Sequence, residues 1–196
     1  MIRREEVVPT DEFVRTRGAR EREAIHAAMV RRVAVGPNLT LLFENRTSVL
    51  WQIQEMCRVE QIRVDAAVQH EIDTYAALLP GPYELSATLL VEYPEPVERD
   101  TMLRRLVGLH THLFLELLGE RIPARFDGEQ FNEERISSVQ FLRVPLTAAQ
   151  RAALFDLSRP ARIGVDHPAY SALVELPAPT RGALAQDLME MERAGG

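Results

Sequence analysis

The hydrophobic and polar positions of this chain follow two different periods, and the change from one to the other falls near residue 80. Before it, apolar residues recur every three or four positions, which indicates amphipathic helices. Helices are therefore predicted at 10–32, with a bend or break at Gly18, at 46–62 and at 65–79. A short apolar segment between turn residues, Leu39–Phe43, predicts a strand.

After residue 83 the period changes to two, which indicates strands with one buried face. The longest alternating segment runs from Leu85 to Tyr93. Further strands are predicted at 138–144, 163–165 and 172–176, with a hairpin formed by 110–118 and 121–126. Helices are predicted at 97–107, 147–157 and 180–192, and a polar loop at 127–135.

These elements predict a single α+β domain. Its N-terminal helices pack on a mainly antiparallel sheet, and an amphipathic C-terminal helix completes the fold. The helical half covers about 10–80, the mainly β half about 83–176, and the last helix about 180–192.

Glutamates occur in the helical half at positions where the period places core residues. Glu60 continues a stripe that contains Ile53 and Cys57, and Glu71 continues a stripe that begins at Val68. A buried carboxylate needs a cation, hydrogen bonds, a metal ion or a proton, because burying it alone is costly. If the second and third predicted helices pack as an antiparallel hairpin, both acids lie near the connecting turn and mark a candidate site.

Two more glutamates extend this candidate site. Glu44 directly follows the predicted strand, and Glu55 lies with Trp51 on a second apolar strip of its helix, where Gln52 can donate an amide hydrogen bond to a carboxylate or a ligand. The same strip permits a homo-oligomer. The candidate ligand-binding residues are Glu44, Arg46, Glu55, Glu60, Glu71, Arg31 and Arg32.

The plain alternative is a structural network of ion pairs. The sequence contains no lysine, so every one of its 23 basic residues is an arginine. A guanidinium binds a carboxylate through two parallel hydrogen bonds and is well suited to a buried pair. Arginines such as Arg31, Arg32 and Arg46 are therefore expected to neutralise Glu60 and Glu71 in this interpretation.

Histidines supply a separate metal hypothesis. His110 and His112 alternate on a predicted strand, so both point to one face, and Glu116 is expected on the same face. His70 and His167 are further possible ligands for iron or manganese together with the glutamates. The alternative is that the outward face of an antiparallel sheet simply carries polar residues.

Composition excludes several chemistries. Without lysine the chain cannot form a Schiff base, bind pyridoxal phosphate covalently or use a Walker lysine. With Cys57 as its single cysteine it cannot form an internal disulfide or a four-cysteine iron–sulfur cluster. The net charge of −6 disfavours nucleic-acid binding, and the sequence shows neither a signal peptide nor a membrane span. A cytoplasmic protein is expected.

Five segments, in this order, resemble an uncharacterised bacterial family known as domain of unknown function 3501: RRVAVGPNLTLLFEN, QIQEMCRVEQI, HEIDTYAALLP, ELSATLLVEYP and GVDHPAY. The likeness covers about residues 10–176. The family supplies no catalytic residues. Its members are often encoded near rubrerythrin and an iron–sulfur oxidoreductase-like protein, so the resemblance implies a role in redox or oxidative-stress handling with these proteins as partners.

Three hypotheses follow from the sequence. The first is an accessory protein of a redox or oxidative-stress system, which binds a ligand or a partner through the acidic segment. The second is a metalloenzyme whose carboxylates hold iron or manganese. The third is a purely structural subunit in which all of these acids form ion pairs.

Overall fold

Two antiparallel sheets form the framework of the protein in a computed structural model that describes residues 2–127 and 134–195. One sheet has the spatial order β1 (Arg32–Ala34), β2 (Leu39–Phe43), β3 (Glu84–Val91), β7 (Val139–Pro145) and β6 (Arg125–Phe126). The other has the order β5 (Glu120–Pro123), β4 (Leu113–Leu117), β8 (Ala161–His167) and β9 (Tyr170–Glu175).

Six α-helices accompany the sheets in the described ranges. They are α1 (Thr10–Met29), α2 (Arg46–Val59), α3 (Asp65–Ala76), α4 (Pro96–Arg105), α5 (Ala148–Phe155) and α6 (Ala178–Gly195). None of these helices combines the length and the apolar character that crossing a membrane requires. The α+β class, the N-terminal helices and the C-terminal helix are confirmed.

Several predicted elements differ from the structure in position or number. Two sheets replace the one expected, because β4, β5, β8 and β9 pair with one another and not with the other strands. The chain crosses to the first sheet after β5, where β6 pairs with β7. The chain leaves α1 at Met29 and forms β1, a strand whose three residues are too few to show a period. Gly18 does not interrupt α1, which is continuous across it. Most of the loop predicted at 127–135 lies outside the described residues.

Two hydrophobic cores hold these elements together. The larger joins the sheets, since it contains Leu41 and Leu89 from one and Leu115 and Ile163 from the other. The smaller lies around α2 and α3 and includes Cys57, which is 2% exposed. Burial raises the pKa of the Cys57 thiol, so this side chain is a core residue rather than a nucleophile.

A tight turn connects β2 to α2 and positions Glu44, Asn45 and Ser48. Asn45 is the N-cap of α2: its side chain accepts a hydrogen bond from the Ser48 amide at 2.9 Å, and its own amide donates to the Ser48 hydroxyl at 2.9 Å. The Glu44 amide donates to the Ser86 carbonyl at 2.8 Å and continues the β2–β3 ladder by one residue. Glu44 is thereby held on the sheet while the helix begins directly beside it.

Candidate functional site

A groove of about 380 Å³ runs between α1, α2 and the outer face of the five-stranded sheet. This volume lies within the range of roughly 300–1,000 Å³ that is typical of ligand pockets. Its walls are mainly apolar. The apolar side chains that line it are Ala24, Ile25, Ala28, Leu42, Trp51, Val139 and Phe141.

Strand register and helical spacing bring the polar groups of the groove together. Thr88 pairs with Leu42 on one side and with Phe141 on the other, so it lies in the middle of the outer face of the sheet. Ser48 and Gln52 are four residues apart on α2 and therefore share one face of the helix. These three side chains converge on the acid at the end of β2.

Glu44 is 2% exposed and forms part of the groove wall. Its Oε2 accepts hydrogen bonds from the Ser48 hydroxyl at 2.5 Å and the Gln52 amide at 3.0 Å. Its Oε1 accepts one from the Thr88 hydroxyl at 2.6 Å. All three donors are neutral, so the carboxyl is oriented on both oxygens but carries no counter-charge from them.

Burial raises the pKa of the Glu44 carboxyl, and the hydrogen bonds from Ser48, Thr88 and Gln52 oppose this shift without reversing it. The site can accommodate both forms of the acid. The Ser48 hydroxyl also lies 3.0 Å from the Asn45 carbonyl oxygen, which is an alternative acceptor for its proton. When Glu44 is protonated, Ser48 can donate to Asn45 and accept from the acid.

Glu55 is part of an ion-pair cluster instead. Arg17 donates to both of its oxygens, at 2.8 and 3.2 Å, and Arg58 donates to Oε2 at 2.8 Å. The hydrogen bond from Arg58 and the nearby charges lower the pKa of Glu55. The arrangement connects α1 to α2, as the ion-pair interpretation expects.

The three arginines of the candidate set pair with acids other than the core-phase glutamates. Arg31 binds Asp187 through two hydrogen bonds, of 2.7 and 2.8 Å, and both side chains are buried. Arg32 binds Glu92 at 2.6 Å in an exposed pair. Arg46 binds Glu6. The expectation that these arginines neutralise Glu60 and Glu71 is therefore wrong.

The expectation that Glu60 faces the core is also wrong. α2 ends at Val59, and Glu60 is its exposed C-cap, so the helical stripe does not continue to this position. Glu71 is half-buried on α3. Burial raises the pKa of Cys57 and of Tyr75, and the nearby Glu71 charge adds to both shifts. Of the predicted acids, only Glu44 lies in the groove.

The His-x-His strand geometry is not present. His110 lies in a 3-10 turn, Leu109–Thr111, and His112 caps that turn, because β4 begins only at Leu113. Glu116 lies further along β4 and binds Arg162 at 2.9 Å. His70 is exposed on α3.

His112 instead joins a polar cluster at the end of the four-stranded sheet. Its Nδ1 lies 3.0 Å from Asp166, whose other oxygen accepts a hydrogen bond from Arg121 at 2.7 Å. The His167 ring packs edge-on against the His112 ring, with 5.0 Å between centroids, and its Nε2 lies 3.0 Å from the Val107 carbonyl oxygen. In the described ranges no three histidine, cysteine, aspartate or glutamate side chains are grouped as a metal site would require.

A second cavity, of about 240 Å³, has Cys57 in its wall. Its charged residues are engaged with one another: Arg4 binds Asp65 at 2.6 Å, and Arg63 lies 3.4 Å from Asp11. The groove beside Glu44 differs because its buried charge has no such partner. For this reason the groove is the candidate ligand site.

Sequence reasoning found Glu44 and the amide donor Gln52, but not the two hydroxyl donors, Ser48 and Thr88. Thr88 comes from a strand 44 residues away, and only the sheet register brings it to the acid. Ser48 had a local signal, since Glu44, Ser48 and Gln52 are spaced four residues apart at the start of a helix. No pattern in the sequence indicated that Ala28 and Phe141 would line the groove.

The fold and the groove define an α+β protein with two antiparallel sheets and a buried, uncompensated carboxyl beside an apolar groove. A family model described as "Protein of unknown function (DUF3501)" matches residues 1–188, and the chain belongs to that family, as the five sequence blocks predicted. A crystal structure of a novel protein of unknown function from Burkholderia pseudomallei K96243 is 32% identical and has a TM-score of 0.88. The match covers 95% of this chain and 98% of the Burkholderia chain. No protein with a curated description matches the chain.

Proposed function

We propose that this protein binds a small, largely apolar molecule in the groove, with one polar group of the ligand placed against Glu44. The observation that carries the proposal is a carboxyl that is 2% exposed, held by three neutral donors, in the wall of an apolar groove. Apolar walls with a few fixed polar groups are typical of ligand sites, because the walls supply affinity and the polar groups supply orientation.

The site is preorganised for binding. Ser48, Gln52 and Thr88 fix both oxygens of Glu44 from three directions before any ligand arrives. Ser48 is itself fixed by the helix cap that it forms with Asn45. The carboxyl is therefore already ordered before a ligand binds. This favours affinity, because binding does not have to immobilise the side chain.

The cellular role that we propose for this binding protein is that of an accessory component of a cytoplasmic redox or oxidative-stress system. Its support is the resemblance of the sequence to a family whose members are encoded near rubrerythrin and an iron–sulfur oxidoreductase-like protein. Affinity purification of the full chain from its own host tests this role. Recovery of either protein supports it, and recovery of neither from cells that express both contradicts it.

Calorimetric titration with cyclohexylmethanol, an uncharged probe, tests the binding function. The matched variants are Ala28→Phe, which places a ring in the groove, and Ala19→Phe, which makes the same change at an exposed position of α1 outside it. We expect millimolar or tighter binding by the wild type, a similar affinity for Ala19→Phe, and loss of binding for Ala28→Phe. Equal affinities for the two variants would contradict a site in the groove.

A further inference from the structure

We infer that the ligand is an organic cation, a primary or secondary amine attached to an apolar body, whose ammonium group binds Glu44. This inference rests on the proposed function and names the chemical class of its ligand. The observations that support it are the missing counter-charge of the carboxyl, its remaining acceptor position and the composition of the groove wall.

In the described part of the chain no arginine forms an ion pair or a hydrogen bond with Glu44. The nearby Arg31 is engaged with Asp187, and Arg46 with Glu6. An ionised carboxylate in an apolar wall is stabilised by a cation far more than by a neutral group, because it has lost the solvation that water gave it. A bound ammonium would supply that charge.

The hydrogen bonds leave a position for such a donor. Two donors occupy Oε2, whereas Oε1 accepts from Thr88 alone. Each carboxylate oxygen has two lone pairs, so Oε1 retains one acceptor position. An ammonium N–H can fill it without displacing any protein donor.

The protonated form of Glu44 has no comparable need for a ligand. Its proton can be donated to the Ser48 hydroxyl, because Ser48 can turn its own proton to the Asn45 carbonyl oxygen 3.0 Å away. The neutral acid is thus satisfied within the protein. Only the ionised form requires something from outside, and what it requires is a positive charge.

The lining of the groove is suited to a cation that carries an apolar body. Trp51 and Phe141 contribute aromatic rings, and Leu42 and Val139 offer apolar surface. The Trp51 ring already has the Arg17 guanidinium 5.4 Å from its centroid, which shows that a cation is attracted to this ring. The remaining ionisable group in the described lining is Glu21 on α1, which pairs with Arg17 at 3.1 Å. The residues that α2, β2, β3 and β7 add to the groove, apart from Glu44, are uncharged.

Calorimetric titration with two probes of equal shape, cyclohexylmethylamine and cyclohexylmethanol, tests the inference. We expect the wild type to bind the amine roughly tenfold more tightly than the alcohol at about pH 8, because a charge-assisted hydrogen bond is worth more than a neutral one. The preference is expected to shrink as the pH falls and Glu44 takes up a proton, while the amine stays charged.

Two variants locate the preference. Glu44→Gln keeps the shape of the side chain and is expected to abolish the preference for the amine, whereas Glu98→Gln, an exposed acid on α4, is expected to retain it. If Glu44→Gln does not fold, titration of the wild type with both probes, at the higher pH and again at a lower pH, still tests the inference. An alcohol that binds as tightly as the amine would overturn the inference and leave the proposed function standing. If neither probe binds, the proposed function fails as well.

Discussion

Glu44 shows how this chain buries an acid without an arginine. Two hydroxyls and one amide hold the carboxyl, and all three belong to residues whose positions are fixed by the sheet register or by the helix cap. Elsewhere the protein neutralises acids with guanidinium groups, as at Glu55 and Asp187. Glu44 has only neutral donors, and this distinguishes the groove from the structural ion pairs.

The raised pKa of Glu44 gives the stability of the protein a dependence on pH. The folded state holds the proton to a higher pH than the unfolded state, in which a glutamate has a pKa of about 4.3. As the pH rises from there through the folded pKa, ionising the buried acid costs the folded state about 1.4 kcal/mol for each unit by which burial has raised that pKa. We expect the wild type to lose unfolding free energy relative to Glu44→Gln over this interval.

Urea denaturation of both proteins at a series of pH values measures this difference. Glu98→Gln serves as the control for loss of one exposed carboxylate and is expected to track the wild type. A wild-type minus Glu44→Gln difference that stays constant, or that grows in favour of the wild type as the pH rises, would contradict a buried acid of raised pKa.

At the residue level the sequence revealed Glu44 and one of its donors, Gln52, but not its hydroxyl donors. Glu44 could be singled out because it directly follows an apolar strand. Glu60 was misplaced because the apolar stripe of α2 is interrupted when the helix ends at Val59, and a helix end is poorly defined by periodicity. Thr88 could not be predicted as a partner, since its contact with Glu44 depends on strand pairing rather than on spacing.

Among the elements, α6 is joined to the turn between α1 and β1 by a buried ion pair. Arg31 and Asp187 are 156 residues apart and form two short hydrogen bonds. We expect Arg31→Ala to lower the unfolding free energy by about 3–5 kcal/mol, because it leaves a buried carboxylate without its partner. The neighbouring Arg32→Ala removes an exposed pair with Glu92 and is expected to cost less than about 1 kcal/mol.

Chemical denaturation of the two variants provides the comparison. Both remove an arginine that is ion-paired, and they differ in whether the pair is buried. Equal losses of stability would show that burial of the Arg31 pair does not govern its contribution.

The turn between β1 and β2 packs directly against the other sheet. Gly36 has a φ of +77°, and a Cβ at this position would lie 2.5 Å from the Tyr170 hydroxyl oxygen, which donates to the Val35 carbonyl at 2.7 Å. Gly119 has the same φ, but a Cβ there meets no atom within 4 Å. Gly119→Ala therefore measures the backbone cost alone, about 1–2 kcal/mol. We expect Gly36→Ala to cost clearly more, in the same denaturation measurement, because it also displaces Tyr170.

Equal destabilisation by Gly36→Ala and Gly119→Ala would mean that Tyr170 moves away without penalty. In that case the hydrogen bonds from this residue would not connect the sheets energetically.

Elements defined by local pattern were predictable, whereas their partners were not. β3 and α2 each carry an apolar face long enough to show its period, and β2 is a short apolar segment between turn residues. The structure contains all three. The division into two sheets was missed because β6, only two residues long, pairs across the chain with β7. His110 was assigned to a strand because the hairpin pattern around Gly119 was extended too far towards the N-terminus.

For the molecule as a whole, arginine pairing accounts for one of the four acids, Glu44, Glu55, Glu60 and Glu71, that the sequence singled out. Glu55 belongs to an ion-pair cluster, Glu60 is exposed, and Glu71 lies at the edge of the smaller core. The function that we propose therefore depends on Glu44 and on the groove that α1, α2 and the sheet enclose. The fold assembles this groove from four separate segments of the chain, which are α1, β2 with α2, β3 and β7.

The most direct test of that account is a chemical-shift map of the ¹⁵N-labelled wild-type protein titrated with cyclohexylmethanol. If the groove is the binding site, the largest shifts occur at Leu42, Gln52 and Thr88, with the Gln52 side-chain amide among them. Shifts concentrated around Cys57 and the second cavity, or scattered over the surface, would contradict the central claim.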